Sequence, residues 1–87
     1  FNLVDVREWN EWKEKRIKGT DFLVPTTSFY ETVSKIEDLK DTPVLVYCFS
    51  GSRSSYCQKM MCDMGFTHVT NLRRGIMSFS GKTESGE

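Results

Sequence analysis

PVLVYCFSGSRSSYCQKMM, from Pro43 to Met61, is the stretch from which the rest of the chain can be read. Val44, Leu45, Val46 and Tyr47 form an unbroken apolar run rich in β-branched residues, the pattern of a parallel strand covered on both faces. Cys48 falls where that strand should end. Phe49, Ser50, Gly51 and Ser52 suit neither a strand nor a helix, and Arg53 and Ser54 lead into helical spacing. In parallel α/β sheets, ligands bind beyond the carboxyl ends of the strands, where helix N-termini direct their free N–H groups. A cysteine at such a junction sits in positive potential, which favours the thiolate.

Upstream, Leu3, Val4, Asp5 and Val6 read as a strand ended by Arg7. Trp9 and Trp12, with Ile17 beyond them, predict a short amphipathic helix over Glu8–Lys15, since positions three apart share a face. Gly19 closes it. Phe22–Val24 reads as a second strand, stopped by Pro25. Ser28 and Glu31 fit a capping box, with Phe29, Val33 and Ile36 on one face of a helix running to about Ile36. Downstream, Cys57, Met60, Met61 and Met64 form one apolar stripe, so the methionines and Cys57 are expected in the core. Cys62 lies off that stripe and is expected at the surface. Gly65 terminates the helix, with Phe66 placed to pack back on it. Thr67–Leu72 reads as a last strand and Ile76–Phe79 as a final apolar turn. Residues 1–80 are expected to be one domain, and Gly81–Glu87 a polar, mobile tail with nothing to bury. Strands alternating with helices give an α/β fold, a small parallel sheet with helices on both faces.

At 87 residues, one domain buries roughly 60–65% of its unfolded surface, enough for a modest core. Twelve basic residues balance twelve acidic ones, so no overall field points to nucleic acid or an anionic membrane. No apolar run approaches the ~18 residues of a membrane span. Three cysteines without a CxxC pair argue against a disulfide framework and a zinc site, and for reduced thiols in a cytoplasmic setting. The single histidine, His68, lies far in sequence from the loop and is not needed as a base. A monomer without metal is the expectation.

Taken together, LVDVRE from Leu3, Ile17–Gly19, VLVYCFSGSRS, MGF at Met64–Phe66 and VTNLRRGI at Val69–Ile76 resemble the rhodanese-homology domain, the sulfurtransferase fold. The resemblance runs from Leu3 to about Phe79. It implies that Cys48 carries a transferred sulfur as a persulfide, with no other cofactor. It also implies that the backbone amides from Phe49 through Ser50, Gly51 and Ser52 to Arg53 cradle that sulfur, and that Arg53 closes the loop. Four departures stand out. Phe49 replaces a basic residue that often follows the cysteine, and Arg74–Gly75 replaces a Gly-Gly pair. Lys15–Arg16–Ile17 replaces a Gly-His-Ile, and the strand and helix that usually precede LVDVR are missing.

The loop chemistry agrees with the resemblance. Small residues let successive N–H groups curl into a nest that binds an anion, and the following helix adds its positive end. A stabilised thiolate both attacks and leaves readily in sulfur exchange. Cys48 and Arg53 enclose four residues, whereas phosphatases and arsenate reductases that resemble this fold enclose five, a ring for a tetrahedral oxyanion. The sequence therefore predicts a sulfurtransferase. It takes sulfur from a small anionic donor such as thiosulfate, or from a partner protein's persulfide, and passes it to cyanide or a thiol. The competing expectations are a non-enzymatic rhodanese-like module of a larger protein and, behind it, phosphatase or arsenate reductase action. Asp5 and Arg7 are expected to brace the loop, with Arg7 able to touch substrate. Arg73 and Arg74 are either a surface pair or a substitute for the charge absent at Phe49. The whole scheme requires amides turned toward the Cys48 sulfur and an open approach to it.

Overall fold

A computed structural model describes all 87 residues. Val44–Tyr47 forms the central strand β4 and Asn2–Asp5 forms β1. They run parallel, with Asn2 opposite Val44 and Asp5 opposite Tyr47. Phe22–Leu23 (β3) flanks β1 and Val69–Asn71 (β5) flanks β4, giving an all-parallel sheet in the order β3-β1-β4-β5. From β3 the chain passes over β1 to enter β4, so the winding reverses between β1 and β4. Such a reversal opens the crevice that receives ligands in open parallel sheets, and Cys48 leaves the sheet there.

Alternation along β4 assigns each side chain to a face. Val44, Val46 and Cys48 join the larger core, with Val4, Cys57 and Met61. Tyr47 joins Leu3, Ile17 and Ile76 in a smaller cluster on the other face, with Leu45 packed against it. The larger face is covered by α2 (Phe29–Thr32) and α3 (Ser52–Asp63). The smaller one is covered by the arm of α1 (Trp9–Glu14) and β2 (Arg16–Ile17), and by a 3-10 turn at Ile76–Ser78. On α3, Cys57 and Met61 are fully buried while Met60 and Met64 pack at the margin, and Cys62 is exposed. The Phe66 N–H returns to the Met61 carbonyl beyond Gly65, closing the helix as its sequence indicates.

Three expectations need correction. The predicted helix over residues 28–36 is broken into a 3-10 turn at Thr26–Ser28, the four-residue α2, and a 3-10 segment at Val33–Leu39. Ser28 makes no side-chain cap. Instead the Thr32 hydroxyl donates to the Ser28 carbonyl, and a non-helical Ile36 interrupts the segment. Local hydroxyl bonds of this kind compete with helical ones. Phe29, Val33 and Ile36 are nevertheless all buried. Second, α1 buries none of its residues, and Trp9 is 49% exposed. What holds α1 is polar: the Glu8 N–H donates to the Glu11 carboxylate, and Arg16 lies 3.9 Å over the Trp12 ring while donating to the Trp12 carbonyl. Third, the tail has partners. Thr83–Glu84 forms β6 antiparallel to β2, the Gly86 carbonyl accepts from Arg16, and the Gly86 N–H donates to the Lys13 carbonyl. Main-chain bonds and one buried arginine, rather than apolar burial, bind this segment to the α1–β2 arm.

Candidate active site

Gly51 caps α3 with φ +103°. Besides that left-handed backbone, a Cβ at this position would fall 1.9 Å from the Arg73 carbonyl oxygen. Gly75, at φ +66°, is as constrained, since its Cβ would lie 2.2 Å from the Phe49 carbonyl oxygen. The loop after β4 and the loop after β5 are therefore packed main chain against main chain, with glycine at each close approach. Two further bonds fix this: the Ile76 N–H donates to the Cys48 carbonyl and the Met77 N–H to the Phe49 carbonyl, each at 3.0 Å. Of the Arg74–Gly75 pair, Gly75 carries the steric demand, whereas residue 74 is exposed and tolerates arginine.

Wrapped this way, the loop aims donors at the sulfur. Cys48 Sγ accepts from the Gly51 N–H at 3.1 Å and from the Ser54 N–H at 3.4 Å, and the Ser54 hydroxyl oxygen lies 3.4 Å away. Burial pushes the Cys48 thiol up, but bonds from the Ser54 hydroxyl and from the Ser54, Gly51 and Ser50 amides outweigh it, so the thiol lies below its ordinary range. Cys57, one further turn along α3, is moved the other way by burial, despite contact with the Thr26 hydroxyl. One fold thus holds one thiol below its ordinary range and one above it.

Arg53 sits differently from the expected loop closure. Its guanidinium grips Glu11 of α1 in a two-pronged bond, Nη1 to Oε1 at 2.7 Å and Nη2 to Oε2 at 3.0 Å. Hydrogen bonding from Arg53 is the main reason that Glu11 is held down at about 2. The bridge ties α1 to the first turn of α3. Asp5 and Arg7 form a buried pair at 2.8 Å, and Arg7 also donates to the Lys15 carbonyl. They brace the β1–α1–β2 arm and make no hydrogen bond to the loop. Arg7 does line a cleft of about 320 Å³ beside the loop, with Glu11, Lys15, Phe49, Ile76 and Met77. Arg73 and Arg74 are exposed and lie beside a separate cleft.

Two further expectations fail in detail. Phe49, Ser52 and Arg53 place no amide on the sulfur, and the Phe49 side chain is 49% exposed. Cys48 itself has no exposed surface. The alternation that gives β4 its two faces directs Cys48 inward toward α3, so the open approach anticipated from the sequence is absent in this conformation. Glu11, Ser54 and Asn71 shape the site without having been singled out in the sequence, as does Gly75, named there only within a departure from the family pattern. Only Gly75 carried a local signal, as the surviving glycine of a pair.

A rhodanese-like domain family model matches residues 1–82, and the chain belongs to that family. The structure superposes on a rhodanese with anions from E. coli at a TM-score of 0.84 and 25% identity, covering 98% of both chains. Among curated relatives, the thiosulfate sulfurtransferase PspE of Escherichia coli strain K12 is 28% identical over 68 residues, covering 78% of this chain and 64% of that protein. The tRNA uridine(34) hydroxylase of Protochlamydia amoebophila is 32% identical over 89 residues, covering 95% of this chain and 28% of that protein. The chain thus spans less than two thirds of either relative's length.

Proposed function

We propose that this domain is a sulfurtransferase that carries sulfane sulfur as a persulfide on Cys48. One observation carries the reading: the Gly51 and Ser54 amides and the Ser54 hydroxyl surround one sulfur, held below its ordinary range, at the start of a helix. The Cys48 thiolate attacks the outer sulfur of a donor, forming one S–S bond as the donor's own bond to that sulfur breaks. Sulfite leaves if the donor is thiosulfate, and a thiolate leaves if it is a persulfide. A cyanide or thiol acceptor then takes the outer sulfur and returns Cys48 as thiolate. Ser52 and Arg53 occupy the first turn of α3, where N–H groups have no intrahelical acceptor. They are the donors left for the second sulfur. Because Cys48 is covered, attack requires the 49–53 segment to shift. No metal or organic cofactor takes part, and the partner is a small anionic donor or a protein persulfide.

Activity assays on three variants test this. Cys48→Ala abolishes transfer, while Cys57→Ala and Cys62→Ala keep most of it; equal loss in all three refutes the assignment. The covered sulfur favours a second reading, a rhodanese-like binding module within a longer protein. That reading requires wild-type chain to take up no sulfur from thiosulfate or from a low-molecular-weight persulfide.

A further inference from the structure

Ser54 has one hydroxyl proton and three acceptors around its oxygen. Asn71 Oδ1 lies at 2.5 Å, the Gly51 carbonyl at 3.2 Å and Cys48 Sγ at 3.4 Å. A hydroxyl donates one bond and can accept two. Two oxygens 2.5 Å apart need a proton between them, so in the arrangement seen the Ser54 proton points at Asn71. The sulfur then faces Ser54 lone pairs. That suits a thiol donating its S–H and is wrong for an anion.

The same three groups have a second arrangement. When the thiol loses its proton to solvent, the anionic sulfur attracts the Ser54 proton, leaving bare oxygen against Asn71 Oδ1. Half a turn of the Asn71 amide removes the conflict, because Nδ2–H then donates to the Ser54 oxygen. The two ends of the amide are nearly equal in size. The turn gives up the long 3.5 Å contact from Nδ2 to the Gly51 carbonyl and leaves Oδ1 facing that oxygen at similar range. β5 holds Asn71 at this point, opposite Val46 of the strand that carries Cys48.

We propose that Asn71 is a positioning residue for the sulfur on Cys48. Its amide turns over with the charge on that sulfur and, through the Ser54 hydroxyl, offers a proton to the anion and a lone pair to the thiol. This deepens the reading of Cys48 as the sulfur carrier, but its test follows ionisation and involves no sulfur transfer, so either can fail alone.

The experiment is an NMR titration of the full chain, with the Cys48 Cβ and the Asn71 side-chain amide followed together. The Asn71 amide protons should shift with the Cys48 midpoint. In Ser54→Ala, Cys48 should titrate at higher pH and the Asn71 response should vanish. A Cys48 transition with no Asn71 response overturns the proposal. So does an equal response in Ser54→Ala, which would mark a simple field effect. Asn71→Asp supplies a second test, because an acceptor at both ends cannot make the turn. It should raise the Cys48 midpoint by about one pH unit with Ser54 present and by clearly less in Ser54→Ala; equal rises contradict the proposal.

Discussion

Moving Cys48 one place back, to position 47, would turn its sulfur to the opposite face of the sheet, away from α3 and every donor that reaches it. Strand alternation, not loop sequence alone, sets this cysteine among those donors. The next residue, Phe49, brings no charge to the mouth of the loop, and its ring stands half in solvent. Phe49→Arg should therefore lower the thiosulfate KM. Partly exposed ion pairs contribute about 0.2–1 kcal/mol, or roughly 1.5- to 5-fold. Steady-state kinetics checks this, and an unchanged KM would show that main-chain donors or Arg73 and Arg74 already capture the anion. That Cys48 ends a strand and Gly51 turns the chain was legible in PVLVYCFSGSRS, because both are local. The convergence of Ser54 and Asn71 was not, since a hydroxyl's partner across 17 residues leaves no mark in the spacing.

Among the elements, the loop–α3 junction depends on α1, a helix that buries nothing of its own. The Glu11–Arg53 bridge spans 42 positions, and neither residue announces the other in sequence. Glu11 is held at about 2 in the folded chain, against roughly 4.3 for a free glutamate. Since the folded value is the lower one, the bridge stabilises fully above the free value and its contribution fades as pH falls toward 2. Glu11→Gln should thus be less stable than wild type at neutral pH, and the gap should close between about pH 4 and 2. Both side chains remain about a third exposed, so the gap should be small, about 1 kcal/mol or less. Melting curves across that pH range check it, and a gap that persists at pH 2 contradicts it. The broken segment over residues 26–39 escaped the sequence for a related reason. Apolar spacing reports which residues are buried, and a chain of short 3-10 and α turns satisfies it as well as one helix.

For the molecule as a whole, the parallel order β3-β1-β4-β5 places the Asp5–Arg7 pair beside the strand that carries Cys48. The pair is buried, with 0% and 5% side-chain exposure. Asp5→Asn strands the Arg7 charge and should cost about 3–5 kcal/mol, read by urea unfolding; a loss below about 1 kcal/mol would mean that Arg7 finds water or another partner. The alternation of strands and helices disclosed the architecture, while the docking of the 81–87 segment on β2 rests on main-chain bonds that composition does not report. Sulfur transfer by this domain requires that the sulfur be held at one atom. Wild-type chain treated with thiosulfate or a low-molecular-weight persulfide, then weighed intact, should gain one sulfur that maps to Cys48 and is lost to cyanide. The gain should be absent in Cys48→Ala. No adduct from either donor, or the same adduct in Cys48→Ala, would contradict it.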